Sequence, residues 1–335
     1  MYITTQKRTE EYINRINLVK KRKIFTNKSY DLGIFGLGFE ERTLESIKRI
    51  VVNNAFKELI LIRYQEKGYT DEIEKIISER VKYKIFDMNQ IKEINDEISK
   101  AKSVLVDITG LYKPIIYYVV RNVIKGRGKI DVVYTAAKEY YPLNSDIEKE
   151  YPIEELDEAT KFTKLMQRLT IGENGDYQNI GLMDECDYDP TRPVALMGFV
   201  SPKNQRLFSI LDRMEYNYIS LLLPNGNTGR DKLSRLAGSI AYANYPMVDR
   251  EEFDINQPRE VLLKIVENYC KNYFDREANV EIALTGSKIQ AVLVATISSI
   301  VKFSQCWYVQ PKEFDVKHFT RGVSATTCYE ILIKN

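Results

Sequence analysis

The chain has 335 residues, 44% hydrophobic and 29% charged, which is too long for one small core and suits two globular, soluble units of ordinary domain size. Its 49 basic and 47 acidic residues leave a formal net charge of +2, which argues against a uniformly basic surface that coats nucleic acid. The longest apolar stretch, 291–301, is too short to span a bilayer, and Cys186, Cys270, Cys306 and Cys328 form no CxxC, so a cytoplasmic protein with buried thiols is expected rather than a secreted or membrane one.

In chain order, the pattern predicts an N-terminal amphipathic helix over 5–23. Strands follow at 31–37, 59–63, 83–86, 104–108 and 131–135, with helices between them, in the alternation of parallel βα units. The segment 141–192 breaks this rhythm. It opens acidic, carries a helical patch through 164–169, and ends in GENGDYQNIG and DECDYDPTRP, whose Gly, Asn, Asp and Pro mark a linker or small insertion. A second α/β unit runs from 193 to about 311, and CYEILI near the C-terminus adds a last strand. The expected organisation is a helical segment 1–29, a first domain 30–142, a linker 143–192 and a second domain 193–335.

The two halves repeat one another. SVLVDITGLYKPIIYYVVRNVI from Ser103 matches VEIALTGSKIQAVLVATISSIV from Val280: an apolar β run ending in Thr-Gly, a Lys three or four residues after the Thr, then a long apolar helix. Upstream, LGIFGLGFEERTLESIKRI from Leu32 matches PVALMGFVSPKNQRLFSILDRM from Pro193: an apolar strand, Gly-Phe, a polar turn, an Arg (Arg42 or Arg206) and a helix. The fold class expected is α/β, two tandem Rossmann-like domains with mostly parallel sheets, related by internal duplication.

In open parallel sheets, ligands sit beyond the carboxyl ends of the strands, where the strand order switches. Gly36, Gly38, Thr109 and Gly110 fall at such ends in the first half, and Gly198, Thr285 and Gly286 in the second. Glycine there lets backbone N–H groups approach a phosphate, while Thr109 or Thr285 adds a hydroxyl and Lys113 or Lys288 a cation. Two readings stay open, since the same residues also serve if Thr caps a helix, Gly permits the turn and Lys is solvated.

ITGLYKP and LTGSKIQ resemble degenerate forms of the Thr-Gly-Gly-Thr-Lys motif found after the fourth strand of CRISPR-associated Rossmann fold (CARF) domains. Those domains bind cyclic oligoadenylates, generally across a two-fold interface. The tandem organisation is similar to that of SAVED domains, two such folds in one chain that bind cyclic nucleotides. The resemblance covers most of the chain and implies ligand contacts at Thr109, Gly110, Lys113, Thr285, Gly286 and Lys288. It also implies a nucleotide-sensing module of a bacterial antiviral system, with a cyclic oligoadenylate as ligand and an effector partner or self-assembly as output. Leu111 and Ser287 replace the second Gly of the motif, and Lys288 comes one residue early.

GFEER offers Glu40 and Glu41 as weak candidates for acid/base work and Arg42 for a ligand contact. The plainer reading puts the carboxylates in a first helical turn, where the dipole favours them, and pairs Arg42 with an acid. The alternatives to a sensor are therefore a nucleotide-processing enzyme, a messenger-degrading phosphodiesterase or nucleoside hydrolase, and a protein-binding scaffold. No cofactor is implied. His318 is the sole histidine, which rules out a multi-histidine metal site; GxSxG and P-loop patterns are lacking, as is a GxGxxG fingerprint. PNGNTGR places Arg230 after a strand, where it either reaches a phosphate or sits in a solvated loop. The basic stretches VKKRKIFTNK and KGRGK, and Tyr140 beyond a strand end, carry the same ambiguity between ligand contact and ordinary surface or packing.

Overall fold

The computed structural model describes residues 4–21, 25–63, 69–152, 157–173, 176–183, 188–245, 247–313 and 315–334. Cys186, Phe314 and the Arg22-Lys23 core of the first basic stretch lie outside them. The chain forms two compact units, one of 14–138 with 320–335, here the first unit, and one of 1–13 with 139–319, the second.

Helix α1 (Thr5–Arg15) leads into strand β1 (Ile16–Lys21). The first unit then runs β2 (Ser29–Leu37), α2 (Glu41–Asn53), β3 (Ala55–Arg63), α3 (Thr70–Ser78), β4 (Lys82–Asp87), α4 (Ile91–Lys100), β5 (Val104–Asp107), α5 (Lys113–Arg127) and β6 (Lys129–Tyr140). Each helix forms where apolar residues recur three and four apart: Ile47, Ile50 and Val51 of α2, or Ile94 and Ile98 of α4, are the buried positions. Central β5 reads VLVD, buried at every position, as a strand covered on both faces must be. Helix α5 starts with Pro near its N-terminus and stops at Gly128, which takes φ 68° as its left-handed cap. The basic turn KGRGK is therefore a helix end, and the Arg127 guanidinium donates to the Ile98 and Ala101 carbonyls that close α4.

The second unit continues with α6 (Asn144–Glu150), α7 (Glu158–Arg168), β7 (Tyr177–Gly181), β8 (Val194–Phe199), α8 (Gln205–Leu211), β9 (Tyr218–Pro224), α9 (Gly229–Asn244), β10 (Val248–Phe253) and α10 (Pro258–Cys270). A π-helical turn (Lys271–Asp275), β11 (Asn279–Ala283), α11 (Lys288–Ile297) and β12 (Gln305–Pro311) complete it, before β13 (Thr320–Ile333) ends the chain. Helix α11 is buried from Gln290 to Ile297, matching its apolar sequence.

The first sheet has the order β1-β13-β6-β5-β2-β3-β4, and the second β10-β9-β8-β11-β12-β7. The βα strands in each are parallel and follow one scheme, with the first strand (β2 or β8) between the second (β3 or β9) and the fourth (β5 or β11). These are two Rossmann-like α/β units, as expected. The switch in strand order lies between β2 and β5 in one, and between β8 and β11 in the other.

Three expected boundaries differ. The N-terminal helix stops at Arg15 rather than 23, because INLVKK pairs antiparallel with β13, Ile16 opposite Ile333. The C-terminal strand belongs to the first sheet, not to a domain 193–335: β13 supplies β1's hydrogen bonds and buries Cys328, Tyr329 and Ile331. The segment 143–192 is not a bare linker, since Ile147, Leu165 and Leu169 pack with Leu233 and Leu236 of α9, and β7 pairs antiparallel with β12. Cys270, Cys306 and Cys328 are buried and form no disulfide among the described residues, and burial pushes the Cys328 thiol up to about 11.

Candidate ligand sites at the two switch points

In the first unit, β2 and β5 end side by side, and glycine sets how close their loops come. A Cβ on Gly36 would fall 2.4 Å from the Gly110 carbonyl, and one on Gly110 would fall 2.4 Å from the Gly36 oxygen. Only bare backbone fits, so the first duty of these two glycines is to let the loops touch. Gly38 sits beside them, with the Thr43 hydroxyl 3.0 Å from where its Cβ would be. The Thr43 hydroxyl is buried and makes no hydrogen bond among the described residues.

Thr109 points inward. Its backbone N–H donates to Asp107 Oδ1 at 2.9 Å, and its fully buried hydroxyl donates to Ser46 Oγ at 3.3 Å and accepts from the Thr135 N–H at 2.9 Å. The Thr135 hydroxyl donates to Ser46 as well and shares a hydrogen bond with Thr326. These hydroxyls tie β5, β6, β13 and α2 together. Lys113, the first residue of α5, is partly exposed.

Arg42 and Glu40 form a closed unit. Arg42 is 2% exposed; its Nε and Nη2 donate to the two Glu40 oxygens at 2.9 and 2.8 Å, and Nη1 donates to Tyr134 Oη and the Thr135 carbonyl at 3.0 Å each. The Thr320 hydroxyl also donates to Glu40. With both oxygens engaged, Glu40 is held as a fixed acceptor rather than poised as a mobile base, while Glu41 is exposed in the first turn of α2.

In the second unit, the same positions carry different groups. Gly198 faces Leu207, whose Cδ1 lies 2.7 Å from its would-be Cβ, and the buried Thr285 hydroxyl donates to the Phe199 carbonyl at 2.6 Å. The helix that follows is capped by Ser287, whose hydroxyl accepts from the Gln290 N–H while Gln290 Oε1 accepts from the Ser287 N–H. The Gly286 Cβ position is 1.8 Å from that same Gln290 oxygen. Partly exposed Lys288 opens the helix. Capping in this copy thus falls to Ser287, not to Thr285.

Arg206, in the first turn of α8, pairs with Glu173 through Nε at 3.1 Å and Nη2 at 2.5 Å, and Lys203 Nζ reaches the same carboxylate at 3.4 Å. Tyr177 donates to Glu173 or to Gln205 Oε1 at 3.2 and 3.0 Å. The Glu173 side chain is wholly buried. Burial alone would push its carboxyl up, but Arg206 and Lys203 outweigh it and hold the carboxyl below its usual range. Burial pushes Lys203 down to about 8, against the raising effect of Glu173. Glu173 lies in the segment read as a linker, and Lys203 in an ordinary polar turn. Neither has a local sequence signature; only the Arg206 alignment pointed toward this cluster.

No described helix is long and apolar enough to cross a membrane, and no cluster of metal-ligating side chains occurs among the described residues. No family model matches the sequence, and no curated protein sequence matches it. Among solved structures, two epimerases overlap it too poorly to carry an argument. One is the UDP-GlcNAc 2-epimerase of Neisseria meningitidis, at 11% identity and TM-score 0.21 over 76% of each chain. The other is a protein described as a UDP-N-acetylglucosamine 2-epimerase, from Listeria monocytogenes, at 12% identity and TM-score 0.18 over 84% of this chain and 92% of that one. The chain is similar in fold, at 11% identity and TM-score 0.51, to a type III CRISPR defence DNA nuclease activated by cyclic oligoadenylate, the match covering 84% of this chain and spanning 65% of the nuclease's length.

Proposed function

We propose that the protein is a nucleotide-sensing module of a bacterial antiviral defence system, acting in the cytoplasm, which binds a cyclic oligonucleotide and passes the signal to a partner effector or to self-assembly. The observation that carries this reading is the tandem Rossmann-like fold, similar to that of a nuclease activated by cyclic oligoadenylate, with a glycine-bearing loop pair at each strand-order switch. The shared strand scheme of the two sheets supports an origin by internal duplication. Ligand contact falls to the backbone at Gly36, Gly38, Gly110, Gly198 and Gly286 and to Lys113 and Lys288, whereas the Thr109 and Thr285 hydroxyls brace the loops.

A thermal-shift series with cyclic di- to hexanucleotides tests it. A ligand at a hundredfold excess over its dissociation constant adds about 2.7 kcal/mol of stability. A rise in melting temperature with a cyclic oligoadenylate, weakened in Lys113→Ala or Lys288→Ala, is expected. No shift with any member of the series would sink the sensing function.

A further inference from the structure

Arg230, read from the sequence as an ambiguous loop residue, lies in the first turn of α9 and is drawn back onto its own unit. Its Nη1 donates to the Tyr140 carbonyl at 2.9 Å and the Pro142 carbonyl at 2.7 Å, and its guanidinium stands 5.7 Å from the centre of the Tyr140 ring. Between those carbonyls, the Tyr141 N–H donates to the Phe319 carbonyl at 3.3 Å. The Phe319 ring in turn lies 4.6 Å from Lys203 Nζ. One short path through 140–142 and Phe319 therefore joins Arg230 to Lys203, beyond the carboxyl ends of β8 and β9.

The cations there have donors to spare. Lys203 and Arg206 share the carboxylate of Glu173, and no ion pair to Arg230 occurs among the described residues. Asp231, next to Arg230 in the chain, adds a negative charge that favours the guanidinium, while its carboxylate accepts from Thr228 in the α9 capping box. Lys203 uses one N–H on Glu173, and Arg230 offers Nε and Nη2 with no protein acceptor among the described residues. Charged donors left without acceptors in partly desolvated surroundings are costly unless an anion takes them. The depressed Lys203 pKa has burial as its main cause, and the Arg206 and Arg230 charges push it the same way.

We propose that Lys203 and Arg230 form an anion site in the second unit that takes a phosphate group, as a phosphodiester or a phosphate ester. Arg230 supplies a planar pair of donors and Lys203 a point charge, the combination that suits tetrahedral oxyanions. Arg206, held bidentate on Glu173, positions that carboxylate and Lys203 rather than touching the ligand. The nature of the ligand, a nucleotide, rests on the sensing function proposed above; the site itself rests on the charge and geometry.

Inorganic pyrophosphate is the probe, titrated calorimetrically into the full chain and its Lys203→Gln, Arg230→Gln and Lys113→Gln variants. Saturable binding is expected, weakened roughly tenfold by each of the first two changes and by less than about twofold by the third. Lys203→Gln leaves Glu173 its bidentate Arg206, and Arg230→Lys keeps a donor on the Tyr140 and Pro142 carbonyls should Arg230→Gln fold poorly. Absence of saturable binding, or binding by both variants as tight as that of the unaltered chain, overturns the site. Repeating the titration with the cyclic di- to hexanucleotide series separates the two proposals. Lys203-dependent pyrophosphate binding with no binding of any member of that series keeps this site and removes the sensing function; the reverse removes this site.

Discussion

The two units share a strand scheme and place an arginine on the helix after the first strand, yet they handle its charge in opposite ways. Arg42 is 2% exposed and matched by both oxygens of Glu40, so its surroundings are closed and neutral. Arg206 is matched by Glu173, but Lys203 leans on the same carboxylate and Arg230 adds a further cation nearby. A shared strand scheme therefore does not imply a shared site. The backbone of each unit is held by burial and hydrogen bonding, whereas the electrostatics depend on a few side chains that differ between the units.

Arg42→Leu is the strongest test of this contrast. It removes the bidentate partner of a buried carboxylate that also accepts from Thr320, and should destabilise the first unit by about 3–5 kcal/mol. Arg206→Leu leaves Glu173 still paired with Lys203 and should cost less. Hydrogen exchange of α2 and α8 amides reads each unit separately, and equal losses would break the contrast.

Next in size is a pH effect in the second unit. Lys203 has its folded pKa lowered from 10.5 to about 8, so holding it charged costs stability below that value, roughly 3 kcal/mol before solvent screening. Because the unfolded chain binds more protons than the folded one between pH 8 and 10.5, the Lys203 contribution to stability rises with pH across that window. Anion binding, which needs the ammonium form, should fall as the pH rises through about 8. Glu173, Arg206 and Arg230 are the charges facing it, and Lys203→Met should remove both trends in urea unfolding and pyrophosphate titration. Glu173 acts at the other extreme: its carboxyl is held low, so its stabilisation is present above its unfolded pKa and disappears as acid takes the pH down through the depressed folded value.

A smaller difference is expected between Gly110→Ala and Gly286→Ala. At Gly110 the new methyl meets the Gly36 backbone, which cannot move aside, and should cost about 1–3 kcal/mol. At Gly286 the nearest atom is the end of the Gln290 side chain, which can swing away at the cost of its capping bond, although Phe199 Cβ also lies 2.9 Å off. A melting temperature lowered more by Gly286→Ala would show that the capping box, not loop contact, is the critical feature of that motif. The least effect is expected from Thr285→Val, which loses one hydrogen bond to the Phe199 carbonyl, about 1 kcal/mol, against the bonds to both Ser46 and the Thr135 N–H lost in Thr109→Val.

Much of the βα alternation was legible because buried parallel strands and amphipathic helices write themselves as local periodicities. VLVDI, LGIF and ALMGF announced their strands, and Thr-Gly and Gly-Phe marked the loops at the switch points. Helix starts were less so: Ser287 with Gln290, not Thr285, caps α11, and Thr228 with Asp231 opens α9 inside a stretch read as a loop. The roles of the threonines were not legible, since a hydroxyl after a strand looks the same whether it faces a ligand, a helix N–H, or Ser46 on α2. Glu173 was invisible for a different reason: its partners Lys203 and Arg206 lie some thirty residues away and carry no spacing signal.

By itself the sequence determined that this chain is α/β, that its two halves follow one pattern, and where the glycine-bearing loops lie, because each follows from interactions among residues near in the chain. Only the tertiary structure decided that the last strand returns to the first sheet beside β1, that 143–192 belongs to the second unit, and that one arginine pairs with a carboxylate two residues away while another shares a distant carboxylate with a lysine. Those outcomes depend on partners distant in sequence, chosen by hydrogen-bond completion at a strand edge and by the cost of burying charge, which no local pattern records.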